Sequence, residues 1–139
     1  MLRRSLLGAG LLAFARGLKA QGHIPGAQET TFFSDVDDSN QPYALYLPRK
    51  LDRTRKYPLV ISLHGADSDH RLNLRRVFGR GARLGFGQSQ MSRLSERLPE
   101  VDYIIACPLA RGTMGYQGIA EKDVYDVLAD VKRRFPIDE

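Results

Sequence analysis

Residues 58–66 read PLVISLHGA, and this stretch decides the fold. Its first six residues form a compact apolar run of the kind found in strands that are buried on both faces. The run ends abruptly at His64 and Gly65, where a glycine would let the chain turn sharply. We therefore predict a buried strand over residues 58–63 that opens into a loop at Gly65.

A β-hairpin is predicted ahead of this strand. Residues 30–35 (TTFFSD) are rich in β-branched and aromatic side chains, and residues 37–40 (DDSN) form a turn cluster. In residues 41–47, Tyr43, Leu45 and Leu47 alternate with other side chains. This period of two predicts a second hairpin strand with one buried face.

A second strand and a helix are predicted after it. Residues 101–108 (VDYIIACP) are apolar, and Cys107 is expected to pack there as a small hydrophobe. Apolar residues then recur at spacings of three and four over residues 119–135, which predicts an amphipathic helix ended by Pro136. The apolar positions are Val124, Val127, Leu128, Val131 and Phe135, and the polar positions on other faces are Lys122, Asp126, Asp130 and Lys132. The order of hairpin, strand, strand and helix is an α/β pattern.

Residues 71–98 separate the two apolar strands and contain seven arginines and one glutamate, with four glycines interleaved. An arginine- and glycine-rich segment could contact RNA, but Phe78 and Phe86 alone provide no ladder of aromatic side chains for base stacking. We favour a long exposed insertion with a short helix near residues 89–98.

The N-terminus has the layout of an export signal. A basic pair, Arg3 and Arg4, precedes a small and apolar run over residues 5–15, and Ala20 stands before Gln21. The pair resembles a twin-arginine signal, and the run is too short to span a bilayer. We predict a signal peptide over residues 1–20, a linker over residues 21–28, and a periplasmic or extracellular protein without a stable membrane anchor.

Charge and cysteine content exclude several classes of function. Four of the 21 basic residues and no acidic residue lie in residues 1–20, so 17 basic residues face 16 acidic ones in the remainder. No overall basic surface remains for nucleic acid, which we exclude as a partner. One cysteine allows neither an internal disulfide nor a zinc site of four cysteines.

An ordered series of motifs over roughly residues 30–139 resembles the α/β-hydrolases, in particular the prolyl oligopeptidase-like, polyhydroxybutyrate depolymerase and feruloyl esterase branches. The apolar strand that runs into His64 and Gly65 is similar to the strand before their oxyanion loop. The flanking segments that share the resemblance are Tyr46 to Pro48, Lys56 to Pro58, Ala106 to Pro108, Arg111 with Gly112, Asp123 with Val124, and Phe135 to Asp138. The resemblance implies that residues 29–139 are the N-terminal portion of an α/β-hydrolase domain.

The resemblance also implies a chemistry. Acyl transfer passes through a tetrahedral oxyanion, which backbone N–H groups stabilise. Gly65 and Ala66 would supply such donors and His64 would brace their turn; the other interpretation of His64 is a hydrogen-bonded histidine at a strand end. The substrate would be a small-molecule ester or peptide, and no cofactor is implied.

No catalytic triad is found in these 139 residues. The nearest match to the nucleophile motif G-x-S-x-G is GQSQM at residues 87–91, which lacks the second glycine, and no histidine follows His70. In the families that the chain resembles, the nucleophile strand follows the equivalent of residues 135–138. We therefore expect an incomplete hydrolase that is inactive alone and has an open edge at its central strand.

Two other functions stay open. His64, Asp67, Asp69 and His70 could hold a divalent metal for a metal-dependent hydrolase, although aspartates are also ordinary turn residues. A non-catalytic secreted binding domain would explain the missing triad without any missing segment.

Overall fold

The computed structural model describes residues 24–80 and 97–139. Its elements are β1 (Gly26–Ser34), β2 (Ser39–Leu47), β3 (Leu59–Ile61), α1 (His70–Val77), β4 (Ile104–Pro108) and α2 (Ile119–Arg134). The predicted signal peptide and most of the short helix predicted near residues 89–98 lie outside the described residues. In the part that is described, neither helix is long and apolar enough to cross a membrane.

The predicted hairpin is present, with longer strands than expected. β1 pairs antiparallel with β2 from Gly26 opposite Leu47 to Ser34 opposite Ser39. β1 thus begins inside the segment that we predicted as a linker, because its pairing extends to Leu47, the last residue of β2. The turn occupies residues 35–38, and Asp38 takes the left-handed backbone conformation (φ 51°) that aspartate tolerates.

The four strands form one mixed sheet in the order β1-β2-β4-β3. β4 pairs antiparallel with β2, with Pro108 opposite Tyr43, and parallel with β3, with Ile104 opposite Leu59. The parallel pair requires a crossover connection, which contains α1.

Helices cover both faces of this sheet, which confirms the α/β class. Tyr43, Leu45 and Leu47 belong to a core that includes Val127 and Val131 of α2. The alternate residues Ala44 and Tyr46 belong to a second core with Leu74 of α1. Our prediction of a single buried face for β2 was therefore wrong, because α1 covers the face that we expected to be open.

The helix α1 was not predicted. We expected an exposed insertion from residue 71, yet residues 70–77 are helical and Leu74 is fully buried. Asp69 caps the helix by accepting a hydrogen bond from the backbone N–H of Leu72 at 2.8 Å. One buried leucine among several charged residues gives too weak a periodic signal to predict a helix.

The helix α2 agrees closely with its predicted bounds of residues 119–135. Val127 and Val131 are buried as expected. Asp130, which we placed on an outer face, is 5% exposed: its Oδ2 accepts a hydrogen bond from the Tyr43 hydroxyl at 2.7 Å. A carboxylate that has such partners tolerates burial.

The strand β3 is less buried than its sequence indicates. Val60 is 38% exposed and Leu63 is 46% exposed, so the prediction of burial on both faces was wrong for the described residues. β4 covers one edge of β3. On the other edge the described residues supply a single parallel bridge, in which the N–H of Tyr57 donates to the carbonyl of Pro136 and the N–H of Asp138 donates to the carbonyl of Tyr57, both at 2.9 Å.

Candidate functional site

Three loops meet at one end of the sheet. Because β3 and β4 are parallel, the loop after β3 and the loop after β4 (residues 109–118) leave the sheet side by side. The hairpin turn at residues 35–38 reaches the same end, since β2 runs antiparallel to β4. The carboxyl ends of parallel strands are where open α/β sheets bind their ligands. This end therefore holds the candidate site.

His64 connects the two strand-end loops. Its ring is buried, and Nδ1 lies 3.0 Å from the carbonyl oxygen of Gly65 while Nε2 lies 3.0 Å from the carbonyl oxygen of Leu109. Both partners are acceptors. A neutral imidazole donates to one of them, and a protonated imidazole donates to both. The ring thus ties the loop after β3 to the loop after β4.

Tyr116 holds the same residue from the other loop. Its hydroxyl donates a hydrogen bond to the carbonyl oxygen of His64 at 3.0 Å, and its ring meets the imidazole edge-on with centroids 5.7 Å apart. Burial raises the pKa of Tyr116, so the phenol stays protonated at neutral pH. No local sequence pattern predicts this contact, which spans 52 residues.

Gly65 and Ala66 lie exposed at the front of this arrangement. The left-handed residue of the loop is Asp67 (φ 57°), and Gly65 has no positive φ, so the sharp turn that we expected at Gly65 occurs two residues later. Gly65, like the other described glycines, has open space beside its backbone. Among residues 24–80 and 97–139, no heavy atom apart from those of its two chain neighbours would lie within 4 Å of a Cβ atom at this position.

Arg111 fixes the loop after β4 to its surroundings. Its Nε donates to Oδ2 of Asp123 at 2.7 Å and its Nη2 donates to Oδ1 at 3.2 Å, while Asp123 has a side chain only 1% exposed. The guanidinium also bonds Asp37 at 2.5 Å and the Ser34 hydroxyl at 2.9 Å. These hydrogen bonds raise the pKa of Arg111 and lower that of Asp37. Arg111 therefore joins the hairpin, the loop and α2.

The residues of the alternative metal site are not brought together. His70 binds Glu29 through Nε2 at 2.8 Å, and Asp69 caps α1. Burial lowers the pKa of His70, although Glu29 opposes this effect. Within residues 24–80 and 97–139, no three His, Cys, Asp or Glu side chains could hold a metal ion.

A cavity of about 470 Å³ lies away from this site. It is placed where β2 ends and β4 begins, at the opposite end of the sheet from His64. Its lining consists of Pro48, Arg49, Lys50, Glu100, Val101 and Asp102. The cavity therefore takes no part in the loops described above.

Of the comparisons with known proteins, only the comparison with solved structures found similar proteins. No protein-family model matches the sequence, and no curated protein matches it. A ferulic acid esterase structure is 21% identical with a TM-score of 0.53, and the match covers 80% of this chain and 45% of that one. A thermostable esterase is 20% identical with a TM-score of 0.50, covering 81% and 32%. The fluorophosphonate-binding serine hydrolase F of Staphylococcus aureus is 18% identical with a TM-score of 0.50, covering 82% and 43%.

The described residues have an α/β-hydrolase-type fold, as the sequence resemblance implied. The similar structures are those of esterases and a serine hydrolase, and this chain spans less than half the length of each. At such low identity the likeness establishes the fold, and the activities belong to those proteins.

Proposed function

We propose that this chain is the N-terminal part of an exported serine hydrolase that cleaves ester or peptide bonds by acyl transfer. In this proposal the backbone N–H groups of Gly65 and Ala66 bind the oxyanion, and His64 braces their loop. The observation that carries it is the pair of contacts of the buried His64 ring, to the carbonyl oxygens of Gly65 and Leu109.

The geometry suits the chemistry of an oxyanion hole. Donors that stabilise developing charge must be fixed before the reaction, so that no reorganisation is needed at the transition state. The loop at Gly65 contacts the loop after β4 through the His64 ring, and there is open space beside Gly65 among the described residues. This space supports the proposed approach of a substrate carbonyl at Gly65.

The nucleophile, the acid and the catalytic histidine would follow Asp138 in this proposal. The bridge between Tyr57 and Ile137 brings the chain after α2 to the free edge of β3 in parallel orientation. Further residues in that register would pair with Leu59 and Ile61 and form the next strand of the sheet. We expect the 139 residues alone to be inactive for this reason.

Esters are the first substrates to test, because two of the similar structures are esterases. The proposed partner is a small-molecule ester or peptide, without nucleic acid, cofactor or membrane anchor. Export rests on the basic and apolar pattern of residues 1–20.

The test starts from the protein as its source organism releases it. We expect an intact mass well above 15.6 kDa and hydrolysis of a p-nitrophenyl ester. Gly65→Ala should fold normally, because its methyl group would meet no described atom outside the adjacent residues, yet it should lower kcat by roughly tenfold or more by crowding the oxyanion. Thr113→Ala, an exposed change in the neighbouring loop, is the control.

Two results would contradict the proposal. One is a mass at or just below 15.6 kDa with no ester or peptide hydrolysis, which would favour the secreted binding domain. The other is hydrolysis that Gly65→Ala leaves unchanged.

A further inference from the structure

Each proposed oxyanion donor shares a rigid peptide group with a carbonyl that is itself hydrogen-bonded. A trans peptide is planar, so the direction of its N–H is fixed by the direction of the carbonyl on the preceding residue. The N–H of Gly65 belongs to the same plane as the carbonyl of His64. The N–H of Ala66 belongs to the same plane as the carbonyl of Gly65.

The first of these carbonyls accepts a hydrogen bond from a side chain, and the second lies against the His64 ring. The hydroxyl of Tyr116 donates to the carbonyl oxygen of His64 at 3.0 Å, and Nδ1 of His64 lies 3.0 Å from the carbonyl oxygen of Gly65. A tilt of either peptide plane would break the contact on its carbonyl. The N–H of Gly65 is therefore oriented by the hydrogen bond on the carbonyl of its own peptide group.

We propose that Tyr116 is a positioning residue of the oxyanion loop, and that its hydroxyl orients the N–H of Gly65 by holding the carbonyl of His64. This inference rests on the proposed function for its catalytic consequence. The same hydrogen bond polarises the peptide group and strengthens the N–H as a donor.

Tyr116 is itself well anchored for this role. Its ring packs edge-on against the imidazole of His64, and its loop is fixed to α2 and to the hairpin by Arg111. Tyr116→Phe keeps the ring contact and removes only the hydroxyl. The variant therefore isolates the hydrogen bond. Tyr125→Phe is the matched control, because Tyr125 is 62% exposed on α2.

The peptide plane can be observed directly. His64 and Gly65 form the only His-Gly pair in the 139-residue sequence, so labelling histidine carbonyls with ¹³C and glycine nitrogens with ¹⁵N marks one bond among these residues. Its signal in the full chain is assigned by its loss in Gly65→Ala. In the soluble full chain, we expect Tyr116→Phe to shift the carbonyl of His64 and the N–H of Gly65, and Tyr125→Phe to leave both in place. Unmoved signals in Tyr116→Phe would overturn the inference, whether or not the protein is an enzyme.

Kinetics supply the second measurement. If the wild-type protein hydrolyses p-nitrophenyl esters, Tyr116→Phe should lower kcat by about tenfold with little change in KM, since the oxyanion forms only after substrate has bound. An unchanged kcat beside a shifted Gly65 signal would refute the positioning role. An inactive wild type would defeat the proposed function, and the resonance of the His64–Gly65 bond would still decide whether Tyr116 orients this peptide.

Discussion

The ion pair between Arg111 and Asp123 allows a sharp test of how the site end of the sheet is stabilised. Asp123 accepts two hydrogen bonds from the guanidinium, at 2.7 and 3.2 Å, and its side chain is 1% exposed. Asp123→Asn preserves the shape of the side chain and removes its charge. The amide nitrogen that replaces one oxygen cannot accept a hydrogen bond from the guanidinium.

The expected cost follows from the burial of the pair. Removing one partner of a buried ion pair costs about 3–5 kcal/mol, because the remaining charge is left uncompensated. Arg111 keeps its contacts with Asp37 and Ser34 in the variant, so we expect the lower end, about 3 kcal/mol. With a urea m-value of about 1.5 kcal/mol per molar, the midpoint should fall by about 2 M.

Urea unfolding of the full chain, followed by far-ultraviolet circular dichroism, measures this change. Asp126→Asn is the matched control on the same helix, since Asp126 pairs with Lys122 at the surface. We expect the control to shift the midpoint far less, because exposed pairs contribute little. Equal shifts in the two variants would refute the view that the buried Asp123 contact stabilises this end of the sheet.

Three further predictions follow from buried polar groups. In the same assay, Tyr43→Phe should lower the free energy of unfolding by about 2 kcal/mol, because the hydroxyl that donates to Asp130 is lost while the ring stays packed. An unchanged free energy of unfolding would show that this hydrogen bond contributes nothing to stability. Burial raises the pKa of Cys107 to about 12, so a disulfide reagent at pH 8 should label one thiol in denaturant and none in the native chain. Burial lowers the pKa of His70 below its ordinary value of 6.5, so the unfolded chain binds more protons than the folded chain between the two pKa values. The free energy of unfolding should therefore keep its full His70 contribution above pH 6.5 and lose it as the pH falls through the folded-state pKa. His70→Gln should make the free energy of unfolding depend less on pH in this range.

Much of the fold could be predicted because its signals are local. The alternation in residues 41–47 and the spacing of Val127 and Val131 depend on neighbours within a few positions, and both elements formed where expected. Strand ends were less predictable, since β1 extends to Gly26 only because β2 supplies a partner there. A strand's pairing partner can lie far away along the chain, so the local periodicity of a segment does not predict where its pairing ends.

The wrong predictions concern helical residues that are buried although their neighbours in sequence are mostly polar. Asp130 looked like a surface residue of an amphipathic helix, and it is buried because Tyr43, 87 residues away, donates a hydrogen bond to it. The helix α1 was missed for a related reason: its one buried leucine, Leu74, packs in a core with residues of β2 and β4. In both cases the deciding partner is distant in sequence.

The candidate site also combines residues that the sequence predicts with a residue that it does not. His64 and Gly65 were identified from the sequence, because an apolar strand that ends in a histidine and a glycine is a local pattern. Tyr116 was not, because a tyrosine in a glycine-rich loop has many ordinary explanations. Its significance comes from one hydrogen bond to the carbonyl of His64 across 52 residues.

The apolar run at residues 58–63 contains more hydrophobic surface than its described neighbours bury. Within the described part of the chain, Val60 and Leu63 remain exposed, and the edge of β3 opposite β4 has a single bridge, at the adjacent Tyr57. Strands with such sequences are usually paired on both edges and covered on both faces. A parallel strand that continued from Ile137 would supply the missing pairing, and its carboxyl end would lie beside Gly65. In the proposed hydrolase, the same geometry would place a nucleophile at the end of that strand beside the proposed oxyanion donors.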